Sequence, residues 1–414
     1  MRRCVNAAAV AVAARTGEAP VVANSLRGRV AIAGIGESPY YRRGESPDPE
    51  FVLALRAILA ACEDAGIDPR QIDGFASYAD DRNDPARLAA ALGLADLRFS
   101  NMQWGAGGAG GSGAVANAAA AVATGLASCV VVFRALAQGQ YGRFGSAPKT
   151  SRVSGEAALT FPYGVFSPAQ TFAMRGQRLL HERGVSREAL RAVALASYHH
   201  AQRNPRAVMR GRPLTPEAYD SSRWIVEPLR LFDCCLETDG AAALVLVPAE
   251  RARDLAQPPV HLLAAAIGAA YRDTAPAHNA VEYASACFRT LAPRLFEAAG
   301  LSPADVDVVQ SYENFTPGVV MALVEHGLCE WEEVNDFFRV ENLIAPDGRL
   351  PLNTSGGNLA EAYTHGFELQ VEAVRQVRGT STSQVPNAKV ALVTSGPMIA
   401  PTSSMLVGTA EAVA

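Results

Sequence analysis

Gly105-Ala-Gly-Gly-Ala-Gly-Gly-Ser-Gly113 decides how this chain is read. It leads into a helix over 113–125 built mostly from alanine and valine, and then into a strand, Cys129-Val-Val-Val-Phe133. So small-sided a helix packs against close neighbours, and Gly125 is suited to end it. A glycine-rich turn before a helix also suggests a phosphate loop. This one lacks the closing Gly-Lys-Ser/Thr, so that reading is rejected.

Working outward, Leu26-Arg-Gly-Arg-Val-Ala-Ile-Ala-Gly-Ile-Gly36 reads as a short strand buried on both faces. Residues 49–65 read as an amphipathic helix closed by Gly66, and 72–78 return as a strand. Between 136 and 224 aromatic, Pro, Arg and Gly residues accumulate without steady alternation, which marks a long excursion from the sheet. Within it, Ser186–Tyr198 has a serine cap and helical periodicity. The sheet resumes over 239–247, and Pro258-Pro259 marks a boundary. Helix 281–299, strand 306–311, helix 317–326 and strand 389–394 then repeat the first half's alternation. An α/β fold of two duplicated halves, 26–257 and 258–414, is expected, with 1–25 as a flexible extension.

Composition narrows the function. The chain has 414 residues and a net charge of −4, so no basic field attracts nucleic acid or anionic lipid. No apolar run reaches the ~18 residues of a membrane helix. Seven cysteines without CxxC or metal spacing imply reduced thiols and a cytoplasmic setting. The chain has two lysines, Lys149 in a polar stretch and Lys389 before a strand. Neither position suits the desolvated lysine of a Schiff-base aldolase. The seven histidines are scattered, which disfavours a metal site; only His199-His200 are adjacent, and they read as surface residues at a helix end.

Four segments, in order and spacing, resemble the thiolase superfamily: the glycine loop and helix 105–133; Ser186–Tyr198 with the following His-His-Ala-Gln-Arg; Pro228–Ala243 ending Asp-Gly-Ala-Ala-Ala; and the C-terminal set Tyr312-Glu-Asn-Phe315, Asn353-Thr-Ser-Gly-Gly357, Tyr363-Thr-His-Gly366 and Ser395-Gly-Pro-Met398. The resemblance implies a thiolase fold, duplicated βαβαβαββ halves in α/β/α/β/α layers. It puts the thiolase nucleophile at Gly108, which has no side chain. Tyr312 replaces an Asn or His, Tyr363 replaces the histidine of Gly-His-Pro, and Ser395 falls near the second cysteine. This pattern resembles the lipid-transfer-protein branch, and within it the actinobacterial steroid side-chain aldolases.

That branch implies retro-aldol cleavage of a β-hydroxyacyl-CoA without a cofactor beyond the coenzyme A of the substrate. A retro-aldol needs a base for the hydroxyl, donors for the enolate oxygen, and an acid for the α-carbon. It needs no covalent intermediate, so Gly108 is compatible with it. Tyr312 and Tyr363 are the expected acid and base, with His365 as third catalytic residue. The backbone N–H groups of Gly108 and Gly396 are the expected oxyanion donors, and Asn314 and Ser395 the supporting residues. A phenol titrates near ~10, so either tyrosine needs a neighbouring arginine, helix N-terminus or histidine to serve as a base. Glu313 reads as a structural acceptor. Arginines in 140–215 are the expected contacts for the adenine-nucleotide phosphates. The resemblance further implies a homodimer and a two-plus-two complex with a small OB-fold, zinc-ribbon-associated subunit. The competing readings are acyl transfer through Ser112 or Ser395, and a non-catalytic lipid-binding or scaffold subunit.

Overall fold

The computed structural model describes residues 26–105, 107–141, 152–155, 157–273 and 282–413. Strand β1 (Val30–Glu37) is buried along almost its whole length. Its glycines let helix α1 (Glu50–Ala65) settle onto it: a β-carbon at Gly36 would lie 2.2 Å from the Ala57 carbonyl oxygen. Strands β2 (Gly74–Tyr78) and β3 (Phe99–Gln103) follow, then helix α2 (Gly111–Ala123) and strand β4 (Val130–Ala137). The excursion carries helices α3 (Pro168–Arg183) and α4 (Arg187–Ala201) before strand β5 (Thr238–Pro248) returns to the sheet. The second half supplies strand β6 (Val260–Gly268), helix α5 (Ala292–Ala299), strand β7 (Val308–Ser311), helices α6 (Thr316–Glu325) and α7 (Phe367–Arg378), and strands β8 (Val390–Ser395) and β9 (Thr402–Gly408).

Nine of these strands run β7-β8-β9-β6-β1-β5-β4-β2-β3, and the two-residue strand Tyr41–Arg42 adds a tenth beside β5. The halves have the same internal order. In the first, β3-β2-β4 are parallel and β4-β5-β1 antiparallel. In the second, β7-β8 are parallel and β8-β9-β6 antiparallel, and Leu352 bridges to Val309 where β3 sits in the first half. The halves join through β1 and β6, at Ala31–His261 and Ile32–Val260.

Helices α2 and α7 form the middle layer. Val115 and Ala118 of one and Phe367 and Val371 of the other share a buried cluster with strand residues of both halves, including Leu244 and Val393. α1 covers the outer face of the first half, and α4, α5 and α6 cover that of the second. These are the five layers of the expected duplicated α/β fold, and the glycine run delivers its loop to the middle of them.

Three local readings change. The helix expected over 281–299 begins only at Ala292. Cys287 has a left-handed backbone (φ 73), which a continuous helix cannot contain, and Pro293 fixes the first turn. Helix α3 has no counterpart in the sequence reading, because its buried face includes Arg175 and Gly176 and so hides the apolar period; the Ser167/Gln170 capping box and Pro168 are the legible signal. Finally, His200 is not a surface residue. It is buried, its Nδ1 donates to the Asn353 carbonyl (3.2 Å), and its Nε2 accepts from Ala345 N–H (3.0 Å). His199 is partly buried. Residues 1–25 and Lys149 lie outside the described residues.

Candidate active site

Tyr312 directly follows β7, and its N–H donates to the Thr394 carbonyl of β8 (3.0 Å). Asn353 secures this strand end from both sides: its Oδ1 accepts from Ser311 N–H (2.7 Å) and its Nδ2 donates to the Ser311 carbonyl (2.9 Å). Tyr363 is fixed by Thr238 at the start of β5, whose hydroxyl accepts from Tyr363 N–H (2.8 Å) and donates to its carbonyl (3.2 Å). The two anchors bring the phenols together, with Tyr312 Oη and Tyr363 Oη 2.6 Å apart. Both side chains are buried.

Two glycine backbones clamp the Tyr312 ring. A β-carbon on Gly108 would lie 2.2 Å from Tyr312 Cε2, and one on Gly366 would lie 2.3 Å from Cδ2. Across the site Gly396 is left-handed (φ 68), and a β-carbon there would lie 2.2 Å from Ala109 Cα, so the loops carrying Gly108 and Gly396 touch. Ser395 reinforces this contact: its Oγ pairs with Ser112 Oγ (2.8 Å) and accepts from Ser112 N–H (3.2 Å).

His365 completes the cluster. Its ring meets that of Tyr363 edge to face at 5.3 Å. Its backbone is left-handed (φ 54), a strained conformation for histidine, and Tyr78 Oη holds its carbonyl at 2.9 Å. Its Nδ1 lies 3.2 Å from Arg134 Nε and 3.0 Å from Arg134 Nη2.

The electrostatics reverse one expectation. Burial raises both phenols above their ordinary value, and the neighbouring Tyr312 raises Tyr363 further, so neither is a resting base. Burial, then Arg134 and Arg82, holds His365 well below the usual imidazole range, so it supplies no positive charge to lower a phenol. The Cys235 thiol packs against the phenol cluster and is pushed up to about 12 by burial. Burial likewise pushes the carboxyls of Glu313 and Glu368 up to about 8. The site therefore keeps its protons: it is a cluster of neutral donors, suited to passing a proton between partners but not to holding a phenolate.

A family model described as "Thiolase C-terminal domain-like" matches residues 269–409. The chain is 39% identical over 391 residues to the 17-hydroxy-3-oxo-4-pregnene-20-carboxyl-CoA lyase of Mycobacterium tuberculosis, covering 92% of this chain and 100% of that one. It is 39% identical over 394 residues to a steroid side-chain-cleaving aldolase of Thermomonospora curvata, covering 92% and 98%. The solved structure of an Ltp2-ChsH2(DUF35) aldolase superposes with a TM-score of 0.86 at 40% identity, covering 93% of this chain and 98% of that one. The chain belongs to the steroid side-chain-cleaving aldolases of the thiolase superfamily.

Within this aldolase framework the remaining expected residues fall into place unequally. Asn314 turns back on the chain: its Oδ1 accepts from Phe315 N–H (2.9 Å) and its carbonyl from Cys235 N–H (3.0 Å), so it shapes the turn behind the phenols. Glu313 is buried, and its Oε1 accepts from the Ser197 hydroxyl (3.4 Å). The hydrogen bonds of Ser112 and Ser395 run between the two loops, which ties both hydroxyls into scaffolding. Lys389 is exposed and paired with Glu411 (2.7 Å), unlike a Schiff-base lysine.

Three residues in contact with the Tyr312, Tyr363 and His365 cluster escape the sequence reading. Arg134 is fully buried inside β4 and pairs with Asp81 (2.9 Å) and Asp80 (3.0 Å). A lone charge in a strand buried at every position is the available signal. Tyr78 ends β2 and reaches across to the Thr364-His365 turn. Cys235 reads, with Cys234, as a small hydrophobe, and its sequence gives no sign that it touches a phenol.

Proposed function

We propose that this chain is a carbon–carbon lyase that cleaves a β-hydroxyacyl-CoA, a 17-hydroxy steroid side-chain thioester, to a ketone and propionyl-CoA. The observation that carries the reading is the buried phenol pair at 2.6 Å, set against a glycine where a nucleophile would stand. The bond between the α- and β-carbons breaks, and its electron pair becomes the enolate of the thioester. The hydroxyl proton passes to one phenol as that phenol hands its own proton to the other, which protonates the α-carbon. No phenolate accumulates, which accords with the raised phenol pKa values. The enolate oxygen is received by backbone N–H groups at the touching loops, with Gly396 and Gly108 as donors; one such donor is worth about 3 kcal/mol of barrier. The chemistry as proposed draws on no cofactor other than substrate coenzyme A.

The quaternary reading is also proposed. The edge strand β3 leaves Met102 and Trp104 exposed, which suits a homodimer formed along this edge. The similar solved aldolase is a pairing of Ltp2 with ChsH2(DUF35), which supports a partner subunit here; the small OB-fold, zinc-ribbon-associated character proposed for it rests on the resemblance alone. Among the described residues no helix is long and apolar enough to cross a membrane. The six described cysteines are all free, which supports cytoplasmic residence.

The test is mass-spectrometric product analysis with a 17-hydroxy steroid side-chain CoA thioester, with and without the partner. Ketone and propionyl-CoA are expected in equal amounts. Tyr312→Phe and Tyr363→Phe should each lower turnover by about 10²–10⁴-fold. Unchanged turnover in both variants would sink the roles assigned to the phenols.

A further inference from the structure

Arg134 is, with Arg175, one of two fully buried arginines among the described residues, and it projects from a strand buried at all eight positions. Two of its N–H groups converge on one imidazole nitrogen, His365 Nδ1, at 3.2 and 3.0 Å. A guanidinium carries five donors and no acceptor. Nδ1 therefore presents its lone pair to Arg134, and the ring proton sits on Nε2. A second proton on Nδ1 would point at two N–H donors and a full positive charge, away from water.

We propose that Arg134 is a positioning residue that fixes His365 as a neutral Nε2–H donor and removes it from acid–base exchange. The guanidinium is itself immobilised. Asp81, buried, takes Nη1, and Asp80 takes Nη2. The Tyr78 ring lies 5.6 Å from the guanidinium carbon, and the Tyr78 hydroxyl holds the His365 carbonyl. Two further described groups act on the imidazole: Tyr363 meets it edge to face, and Arg82, paired with Glu50 at 2.7 Å, adds a more distant positive charge. The strained His365 backbone is thus held at its carbonyl by Tyr78 and at its ring by Arg134. A donor fixed in this way stabilises a developing enolate oxygen without giving up its proton, and leaves proton transfer to the phenols. That role rests on the retro-aldol reading; the tautomer does not.

Two measurements test it. The first is long-range proton–nitrogen NMR of native enzyme labelled at histidine nitrogens, with the His365→Asn variant used for assignment. The expected result is an unprotonated, acceptor-type Nδ1 and a protonated Nε2, unchanged between about pH 5 and 8, where a free imidazole titrates. A protonated Nδ1, or a ring that titrates in this range, overturns the proposal. The second is the pH profile of kcat/KM for Arg134→Gln and Arg134→Lys. Native enzyme should show no acid limb near ~6.5, the ordinary histidine value. Arg134→Gln should acquire one and lose at least about tenfold in kcat, while Arg134→Lys, keeping the charge, should stay flat. A Gln variant with the native profile also overturns the proposal. If Arg134→Gln does not fold, the NMR measurement on native enzyme still decides. Absence of lyase activity in native enzyme would count against the retro-aldol reading and leave the tautomer assignment intact.

Discussion

The ring of Tyr312 fills the space that a side chain on Gly108 would need: the missing β-carbon would lie 2.2 Å from Tyr312 Cε2. The two residues are alternatives. A cysteine at 108 and a tyrosine at 312 cannot both hold these positions, so loss of the thiolase nucleophile and gain of the phenol form one steric exchange. This gives a physical basis to the joint replacement of the two positions that the resemblance to thiolases implies.

Gly108→Ala is accordingly expected to destabilise the protein by about 1–3 kcal/mol, the usual cost of overpacking a filled core, and to displace the catalytic phenol. Tyr312→Ala alone should cost more, through the cavity it leaves. The double variant should be less destabilised than the sum of the two singles, because each removes the other's clash or void. Chemical denaturation of the four proteins measures the coupling. Strict additivity would show that the ring moves aside freely.

Phenol pairing makes a second prediction. In the proposed reaction Tyr312 and Tyr363 form one proton relay, so the double Tyr→Phe variant should be little slower than the worse single variant. Single-turnover rates with saturating thioester check this. Multiplicative losses would mean that the phenols act at separate steps.

Acyl transfer leaves a covalent trace that the proposed lyase does not. Intact mass after incubation with acyl-CoA should show no adduct, in native protein or in Ser395→Ala. The Ser395→Ala change should cost about 1 kcal/mol of stability, because Ser112 loses the partner of its hydroxyl and N–H. An adduct on native protein that disappears in Ser395→Ala would restore the acyltransferase reading.

Stability should fall as pH rises from 7 toward 8.5. Burial raises Glu313, Glu361 and Glu368 to about 8 and Glu325 to about 7, so the folded state binds protons there that the unfolded chain has released. A carboxyl raised in this way stabilises the fold below its unfolded value near ~4.3, and that contribution is lost as pH climbs through the folded value. Buried histidines act in the opposite direction, His200 at about 3 and His326 at about 4, but their contribution is complete once the unfolded imidazoles have lost their protons. Each carboxyl therefore removes up to about 1.4 kcal/mol per pH unit between its unfolded and folded values, and the decline levels off above the folded value. Melting temperatures across this window, with Glu313→Gln showing a shallower decline, provide the measurement.

Much of this was legible in the chain. The alternation of strands and helices and the order of the glycine-rich motifs are local features, and most became the expected element or loop. The meeting of Tyr312 and Tyr363 was expected only through resemblance, since 51 residues separate them in sequence. Arg134, Tyr78 and Cys235 act through contacts between distant strands, which no local period encodes. The sign of the phenol shift was also hidden, because burial dominates it, and the arginine that the site does contain is occupied by His365, Asp80 and Asp81. Helix α3 escaped because an arginine and a glycine stand on its buried face.

Tyr312 and Tyr363 already satisfy one another. An entering thioester has to part them, and a β-hydroxyl is the group able to accept from one phenol and donate to the other. A saturated or merely unsaturated acyl chain offers no replacement for the hydrogen bond between the two phenols, a loss of about 1–3 kcal/mol. In the proposed reaction the bond between the phenols is therefore also the gatekeeper of chain chemistry, turning away acyl-CoA esters that have not yet been hydrated or hydroxylated. Discrimination of that kind is built into the site before any substrate arrives.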